Sequence, residues 1–245
     1  MLEWLLAPID ASRAHDVGWH LSWHARLMVL AWGVLAPLGV MAARFFKVLP
    51  WQKWPDELDS RVWWNAHRAA QYGSLVFMAA GLIVILSIPD EPVSVTASVQ
   101  LHRWLGWVVL IFGAMQFLSG WMRGTKGGPT APAADGSWHG DHYDMTRHRL
   151  IFEALHKKNG YVVIALSWAA VLTGLWQGNA PIWMWLLIIG WWCFYVAAFA
   201  ILLQRVQVVP TYQAIWGPDP EHPGNQGPTN EGVSADPSQR GDLRL

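Results

Sequence analysis

The sequence of 245 residues contains a single cysteine, Cys193. One thiol cannot form an internal disulfide, a thiolate metal cluster or the C-x-x-C-H attachment site of a c-type haem. Charged side chains are also scarce, at 14% of the chain, and the formal net charge is zero. A neutral chain offers no basic surface for nucleic acid, so we expect no nucleic-acid partner. Because 53% of the side chains are hydrophobic, the chain as a whole is not intrinsically disordered.

Long uncharged apolar runs dominate the sequence. Three of them, Leu27–Ala43, Ala69–Pro89 and Trp104–Met122, contain no Asp, Glu, Lys or Arg. Each is close to the roughly 20 residues that a helix needs to cross a membrane. A fourth run, Asn159–Gln204, is about twice as long and is divided by the polar turn Gln177–Pro181. The sequence therefore predicts an all-α integral membrane protein with five transmembrane helices, surrounded by lipid.

The chain divides into three predicted parts. Residues 1–20 mix charges with apolar side chains and lack a signal-peptide pattern, so we expect a short interfacial N-terminal segment. Residues 21–204 form the transmembrane domain. Residues 205–245 form a C-terminal tail, which is rich in proline and glycine from residue 217 onwards. We expect this tail to be disordered because it has few large apolar side chains to bury.

Lysine and arginine are concentrated in two of the four loops between the predicted helices. The second loop, around Pro89–Pro92, and the Gln177 turn contain neither residue. The positive-inside rule therefore predicts that the first and third loops and the C-terminus are cytoplasmic and that the N-terminus lies outside. The basic residues in the first and third loops are Arg44, Lys47, Lys53, Arg61, Arg123, Lys126, Arg147 and Arg149.

Four histidines are the strongest candidates for a functional site. His24, His67, His102 and His156 are predicted to lie in the first turn or so of the first four helices, one in each. Because successive helices are antiparallel, His24 and His102 are expected near the outer surface, with the other two near the cytoplasmic surface. Two facing imidazoles in a helix bundle are what a six-coordinate b-type haem requires. The pattern therefore predicts two non-covalent haem sites with histidine on both sides of each iron.

Neighbouring residues favour haem over a bare metal ion. Gly106 and Gly160 each lie four residues after a histidine and leave space for a flat macrocycle against the helix. Gln71 and Gln116 are predicted near the cytoplasmic pair of histidines. A cation follows each histidine within two residues and could hold a haem propionate. These cations are Arg26, Arg68, Arg103, and Lys157 with Lys158.

A simpler interpretation is that these histidines and arginines are only interfacial residues. Long polar side chains near the ends of membrane helices often reach to the lipid headgroups without binding any ligand. That interpretation suits any one of the four histidines. Their recurrence in four consecutive helices, as two pairs on opposite sides, favours haem.

The third loop contains a second cluster of potential ligands: His139, Asp141, His142 and Asp144. Imidazole and carboxylate groups suit a divalent cation such as Zn²⁺, Fe or Mn²⁺. In the alternative interpretation, a polar loop folds over the inner haem and these side chains bond to the backbone and the propionates. The polar-loop interpretation is favoured, because strong metal motifs place their ligands on a helix and this cluster does not.

The residues around the four histidines resemble the cytochrome b561 family, particularly domains fused to extracellular DOMON modules. The resemblance extends from about Ser22 to Trp176. The motifs that carry it are Trp23–Met28, Ala31–Gly33 with Pro37, Gly39, Ala43 and Arg44, His67-x-x-x-Gln71, Leu101–Arg103 through Gly106 to Gln116, and Phe152–His156 with Gly160.

This resemblance implies a four-helix core that binds two b haems through the four histidines, with the fifth helix peripheral. It implies a carrier that passes electrons across the membrane and could act as a transmembrane oxidoreductase. Fewer than 25 residues precede His24, too few for a DOMON module, so the expected outer redox partner is a separate protein or a small molecule. The segment His139–Asp144 is similar to one in bacterial members, which implies a bacterial inner membrane.

Several functions and partners remain open from the sequence. The electron donor and acceptor could be a small molecule, a quinone or a redox protein, and the chain could act as a homodimer or a complex subunit. One alternative function is a haem-binding anchor or quinol-linked subunit of a larger redox complex. Another is a metal-ion transporter, which is disfavoured because the uncharged runs contain no acidic residue to compensate a moving cation.

Overall fold

A computed structural model of the protein describes residues 1–88, 96–124 and 132–226. Within these ranges the chain is helical and has no β-strand, apart from one isolated bridge between Pro8 and Pro181. Five helices are long and apolar enough to span a membrane, which confirms the predicted fold class. In chain order the helices are α1 (Leu2–Leu6), α2 (Trp19–Phe45), α3 (Val62–Leu86), α4 (Ala97–Trp121), α5 (Arg147–Gln177), α6 (Ile182–Arg205) and α7 (Thr211–Trp216).

The spans, α2 to α6, extend beyond the uncharged runs of the sequence. The largest difference is in α5, which begins at Arg147, where the Thr146 side chain accepts a hydrogen bond from the backbone N–H of Arg149. The prediction that His156 lies in the first turn of its helix is therefore wrong, because two further turns precede it. Those turns contain charged residues, so they lie outside the uncharged run although they belong to the helix. As a result α5 carries Arg149 and Glu153 into the bundle.

The middle of α2 is a π-helical segment, Val29–Leu35, followed closely by Pro37. Proline has no backbone N–H, so it cannot donate to the carbonyl of Gly33 four residues earlier. Two indole N–H groups from α6 donate to that carbonyl instead. Nε1 of Trp191 lies 2.8 Å from Gly33 O, and Nε1 of Trp192 lies 3.3 Å from it. The irregular part of α2 is therefore the attachment point for the fifth span.

The other spans form two antiparallel hairpins. Helix α2 packs along α3, and α4 packs along α5. The two hairpins meet chiefly where the π-helical middle of α2 contacts α5. The buried side chains at this mid-depth contact are Ala31, Trp32, Ala36, Val109, Val163 and Ala170. This contact separates the two ends of the bundle.

At one end, which we call the head side, residues 1–18 fold over the turn between α5 and α6. The side chain of Asn179, only 2% exposed, ties the two segments together. Its Oδ1 accepts from the Asp10 N–H at 3.0 Å, and its Nδ2 donates to the carbonyls of Asp10 and Arg13 at 3.0 and 2.6 Å. The N-terminal segment is thus anchored by hydrogen bonds to the end of the bundle.

At the opposite end, the tail side, residues 206–226 pack against the loops that precede α3 and α5. Nζ of Lys47 donates to the carbonyl of Val209 at 2.8 Å, and Tyr212 Oη donates to the carbonyl of Tyr143 at 2.9 Å. Helix α7 buries Tyr212 and Ile215. The prediction of a disordered tail is therefore wrong for residues 206–226. Composition missed this packing because the partners of the segment lie far away in the sequence, whereas residues 227–245 lie outside the described ranges.

We predict that Asn179→Gly releases the N-terminal segment while the spans stay folded. Glycine accepts the positive φ of 44° at this position, so the change removes the side-chain hydrogen bonds without adding backbone strain. Hydrogen exchange should show faster exchange of the Asp10 amide, with unchanged protection within α5. The control is Asn65→Gly at an exposed position, which shows the general effect of replacing asparagine by glycine. Unchanged protection of Asp10 would contradict the role given to Asn179.

Candidate functional site

The structure brings two of the predicted histidines together at the head side. The ring centroids of His24 and His102 lie 6.4 Å apart, and the ring planes are nearly perpendicular, at 89°. A metal ion shared by two imidazoles needs ring centres about 6 Å apart, given metal–nitrogen bonds of about 2 Å. The spacing of this pair, which we call the head-side site, therefore suits a shared metal ion.

The other two histidines lie at the tail side, on the wall of the same cavity. His67 and His156 line one cavity of about 550 Å³. Cavities of about 300–1,000 Å³ are typical of sites for small molecules and cofactors. Gln71 and Gln116 also line this cavity, in the region expected for them from the sequence. We call this arrangement the tail-side site.

Within the first hairpin, each histidine bonds to the backbone of the partner helix. Nδ1 of His24 in α2 lies 3.0 Å from the carbonyl oxygen of Gly81 in α3. In return, Nδ1 of His67 in α3 lies 2.9 Å from the carbonyl oxygen of Gly39 in α2. A carbonyl oxygen can only accept, so Nδ1 carries the proton in both rings.

The second hairpin repeats this exchange. Nδ1 of His102 in α4 lies 3.0 Å from the carbonyl oxygen of Ala170 in α5. Nδ1 of His156 in α5 lies 3.0 Å from the hydroxyl of Ser119 in α4. When Nδ1 holds the proton, Nε2 is the nitrogen with a free lone pair for a metal ion. All four imidazoles thus have the tautomer of a ligand.

Small residues make room for the rings and for the polar groups beside them. A Cβ added to Gly174 would lie 3.0 Å from Cε1 of His102, so only glycine leaves full space for that ring. Gly106 faces open space, as a site for a flat macrocycle requires. Gly160 differs from the expectation, because the amide of Gln116 lies 3.0 Å from the position of its missing Cβ. Gly160 therefore accommodates a side chain of α4.

Positive charge exceeds negative charge around the tail-side cavity. Its acidic lining residue, Glu153, is bonded to Arg149 at 3.0 Å and to Lys157 at 2.9 Å. Lys157, predicted as a propionate partner, is therefore already paired. Burial, together with the nearby charges of Arg149 and Arg68, lowers the pKa of the Arg123 guanidinium. The cationic lining residues are Arg44, Lys47, Arg68, Arg123, Arg149 and Lys157.

The two cations predicted at the head side lie near indole rings. The guanidinium of Arg26 lies 5.4 Å from the centroid of the Trp23 ring. Arg103 lines a surface groove with Trp104 and Trp107. In the described part of the chain neither arginine forms an ion pair with an acidic side chain. Both remain available to an anionic group.

The third-loop cluster does not converge on a point. Asp141 accepts from the hydroxyl of Thr146 and from Nδ1 of His148, and Asp144 accepts from the Gly140 N–H at 2.9 Å. Burial raises the pKa of Asp141, but these hydrogen bonds outweigh it and lower the pKa overall. Among the described residues no group of three His, Cys, Asp or Glu side chains could hold a metal ion. The geometry therefore favours the alternative of a polar loop.

The other two side chains of that cluster lie apart from each other. His139 is largely exposed, with Nδ1 3.7 Å from a carboxylate oxygen of Asp144. His142 is fully buried beneath α7, where its ring packs edge-on against Tyr212 with centroids 5.7 Å apart. Its burial links the loop to the tail segment.

Several residues of the two sites were missed by the sequence reasoning. Arg149 was counted only as a topology signal, although it lines the tail-side cavity together with Arg123, which was expected near the inner pair of histidines. Gly81 and Ser119 were missed because a bond to a backbone carbonyl or a single hydroxyl leaves no motif. The only available signal was the presence of small residues within otherwise bulky apolar spans.

Comparisons with known proteins agree with the resemblance seen in the sequence. Residues 23–127, which include three of the four histidines, match the profile of a family described as eukaryotic cytochrome b561. The chain is 24% identical over 153 residues to a cytochrome b561, DM13 and DOMON domain-containing protein of Arabidopsis thaliana. It is 27% identical over 185 residues to a cytochrome b561 and DOMON domain-containing protein of the same plant.

These matches cover 62% and 75% of this chain but 14% and 34% of the two plant proteins. The chain therefore spans about a seventh and about a third of the length of these relatives. The comparison with solved structures found no match. The prediction of the family is confirmed.

We predict that Gly174→Ala weakens the head-side site selectively. The added methyl group would press on Cε1 of His102 and displace the imidazole from its bond to Ala170. Haem content per chain should fall below that of the wild type, measured from the visible spectrum and protein concentration. Gly190→Ala is the control, because nothing lies within 4 Å of the Cβ position there. Full haem content in the Gly174 variant would contradict this packing.

Proposed function

Because the chain is a member of the cytochrome b561 family, we propose that it is a di-haem carrier that passes electrons between the two membrane leaflets. The family binds b-type haem and transfers electrons across membranes through it. In our proposal His24 and His102 hold one haem, and His67 and His156 hold the other. The observation that carries the proposal is the exchange of Nδ1 bonds within each hairpin, which leaves four Nε2 atoms for two irons.

The residues present fit two haem groups. Neutral imidazoles in pairs are suitable axial ligands for a b-type haem. The 6.4 Å spacing of His24 and His102 suits a shared iron, and the tail-side cavity has the volume of a cofactor site. Cationic side chains at both sites match the negative charge of propionates. The side chains present at the two sites are therefore the types that a b-type haem requires.

The chain's own residues control what the sites can do. A bound haem supplies one-electron redox chemistry at its iron. Held between two imidazoles, a haem would have no coordination position left for dioxygen or a substrate, so electrons would enter and leave at the edge of each site. Apolar side chains around Trp32 pack together in the middle of the bundle, between the two sites. This arrangement favours electron transfer over oxygen chemistry.

The electron donor in our proposal is an anion that approaches the tail side. Arg123 and Arg68 lie over the ring of Trp64, at 4.3 and 5.9 Å from its centroid. That indole in turn stacks on His67 with a centroid distance of 6.2 Å and an interplanar angle of 27°. Two guanidinium groups therefore lie beside an aromatic side chain that contacts a proposed iron ligand. Such a cationic surface attracts an anionic small molecule or an acidic protein.

The proposed orientation places the tail side in the cytoplasm and the N-terminus outside. The support is the concentration of lysine and arginine in the first and third loops, both at the tail side. The resemblance of segment 139–144 to bacterial members supports a bacterial inner membrane. The outer partner is then a separate protein or a small molecule that exchanges electrons at the head side.

A metal-ion transporter is a weaker alternative. Glu153 is the only acidic side chain in the five spans, and it is bonded to Arg149 and Lys157. A pathway for cations needs acidic groups that can accompany the moving ion. The spans therefore suit a resident cofactor better than a transported metal ion.

The central test is the stoichiometry of haem. We expect His24→Ala and His102→Ala to remove the same head-side haem, and His67→Ala and His156→Ala to remove the same tail-side haem. The ratio of haem to protein should fall from about two to about one in each variant, with two distinct spectra. His20→Ala is the control, since His20 lies in α2 but in neither pair. Variants of one pair that lost different haems would disprove the pairing.

The second test concerns the electron donor. Reduction by an anionic donor from the tail side should slow as salt rises, because exposed charges are screened over about 10 Å at 0.1 M. Arg68→Gln with Arg123→Gln should slow reduction at low salt and reduce its salt dependence. Stopped-flow spectroscopy of right-side-out and inverted vesicles measures both effects.

The matched control for charge is Lys53→Gln, which removes a cation from the same side but not from the cavity lining. Salt-independent reduction would contradict an anionic donor at the tail side. Loss of the salt effect only on replacement of Arg26 and Arg103 would move donor entry to the head side.

A further inference from the structure

One of the four histidines has a different hydrogen-bond acceptor. His24, His67 and His102 donate from Nδ1 to backbone carbonyls, and Nδ1 of His102 also lies 3.2 Å from the hydroxyl of Thr173. His156 donates to the side-chain hydroxyl of Ser119, at 3.0 Å. Carbonyl acceptors are present whatever the side chain, whereas this hydroxyl depends on the residue at position 119. The ligand environment of His156 is therefore set directly by the sequence.

The geometry defines the direction of each bond at Ser119. Its Oγ lies 2.9 Å from the carbonyl oxygen of Gln116, one turn earlier in α4. A hydroxyl has one proton, and the carbonyl can only accept, so Ser119 donates to Gln116. The lone pairs of the hydroxyl then face Nδ1 of His156. Ser119 thus acts as an acceptor and keeps the proton of His156 on Nδ1.

The same turn of α4 also holds the backbone of His156. Nε2 of Gln116 donates to the carbonyl of His156 at 2.8 Å. A Cβ added to Gly120 would lie 3.7 Å from Cε1 of the ring, so the same turn of α4 runs beside the imidazole. Residues 116–120 therefore hold both the backbone and the ring of one proposed iron ligand.

We propose that Ser119 is a positioning residue that tunes the redox potential of the tail-side haem through His156. This inference depends on the proposed function. An acceptor on Nδ1 raises the basicity of the imidazole, and a more basic ligand stabilises oxidised iron. Removing the acceptor should therefore make the tail-side haem easier to reduce. The head-side haem has no contact with this hydroxyl.

The test is a redox titration of the full chain in which both haems are followed by their visible and electron paramagnetic resonance spectra. The tail-side signals are identified as those missing in His156→Ala. Ser119→Ala should raise the midpoint potential of the tail-side haem and change its low-spin signal, with no change at the head side. Ser119→Thr keeps the hydroxyl and should resemble the wild type.

The matched control is Ser167→Ala. Ser167 is 1% exposed and bonds back to the carbonyl of Ile164 at 2.8 Å, as Ser119 does to Gln116, but no bond joins it to a histidine. If Ser119→Ala fails to fold, Ser119→Cys keeps the volume and supplies only a weak acceptor, so it should raise the same potential.

Unchanged potentials in the alanine and cysteine variants, or equal shifts at both haems, would overturn the role of Ser119. A wild-type chain without haem, or a His156→Ala variant that keeps both haems, would instead overturn the proposed function. The two failures are therefore distinguishable within one set of variants.

Discussion

An imidazole N–H inside a membrane must donate a hydrogen bond to another protein group, because no water is available there to accept it. In this chain each histidine of the two pairs finds that acceptor on the other helix of its own hairpin. The bonds therefore orient the rings and join the helices at the same time. The hydrogen bonds on Nδ1 leave Nε2 of each ring without a proton, and the arrangement of the two hairpins depends on these bonds.

The irregular helix α2 shows the same principle applied to the backbone. Its π-helical segment and Pro37 change the regular intrahelical bonds, and other helices add donors to the carbonyls of this segment. Indoles of α6 bond to Gly33, and the hydroxyl of Ser74 donates to the carbonyl of Ala31 at 2.9 Å. A defect in one span is thus the contact point for others. Such π-helical turns are frequent at functional sites.

The sequence was sufficient to predict the five spans and to single out the four histidines. Uncharged runs predict spans because burying a charge in the membrane is unfavourable. A candidate ligand is also visible in the sequence, because its chemistry depends on the histidine side chain. The start of α5 could not be read this way, because its first turns carry charges that pair with one another around Glu153. The acceptors Gly81 and Ser119 were equally hidden, since any residue has a carbonyl and serine is common. Residues 206–226 were missed because their partners are loops far away in the chain.

The hydrogen bond between Asp10 and Asn179 joins residues 169 positions apart, and this imposes an order on assembly. During synthesis the N-terminal segment emerges first, yet its docking turn exists only after α5 and α6 have crossed the membrane. The segment 206–226 is made later still and closes the opposite end. Neither end of the bundle can therefore take its final form until the last span has been made, so the two terminal segments dock only at the end of assembly.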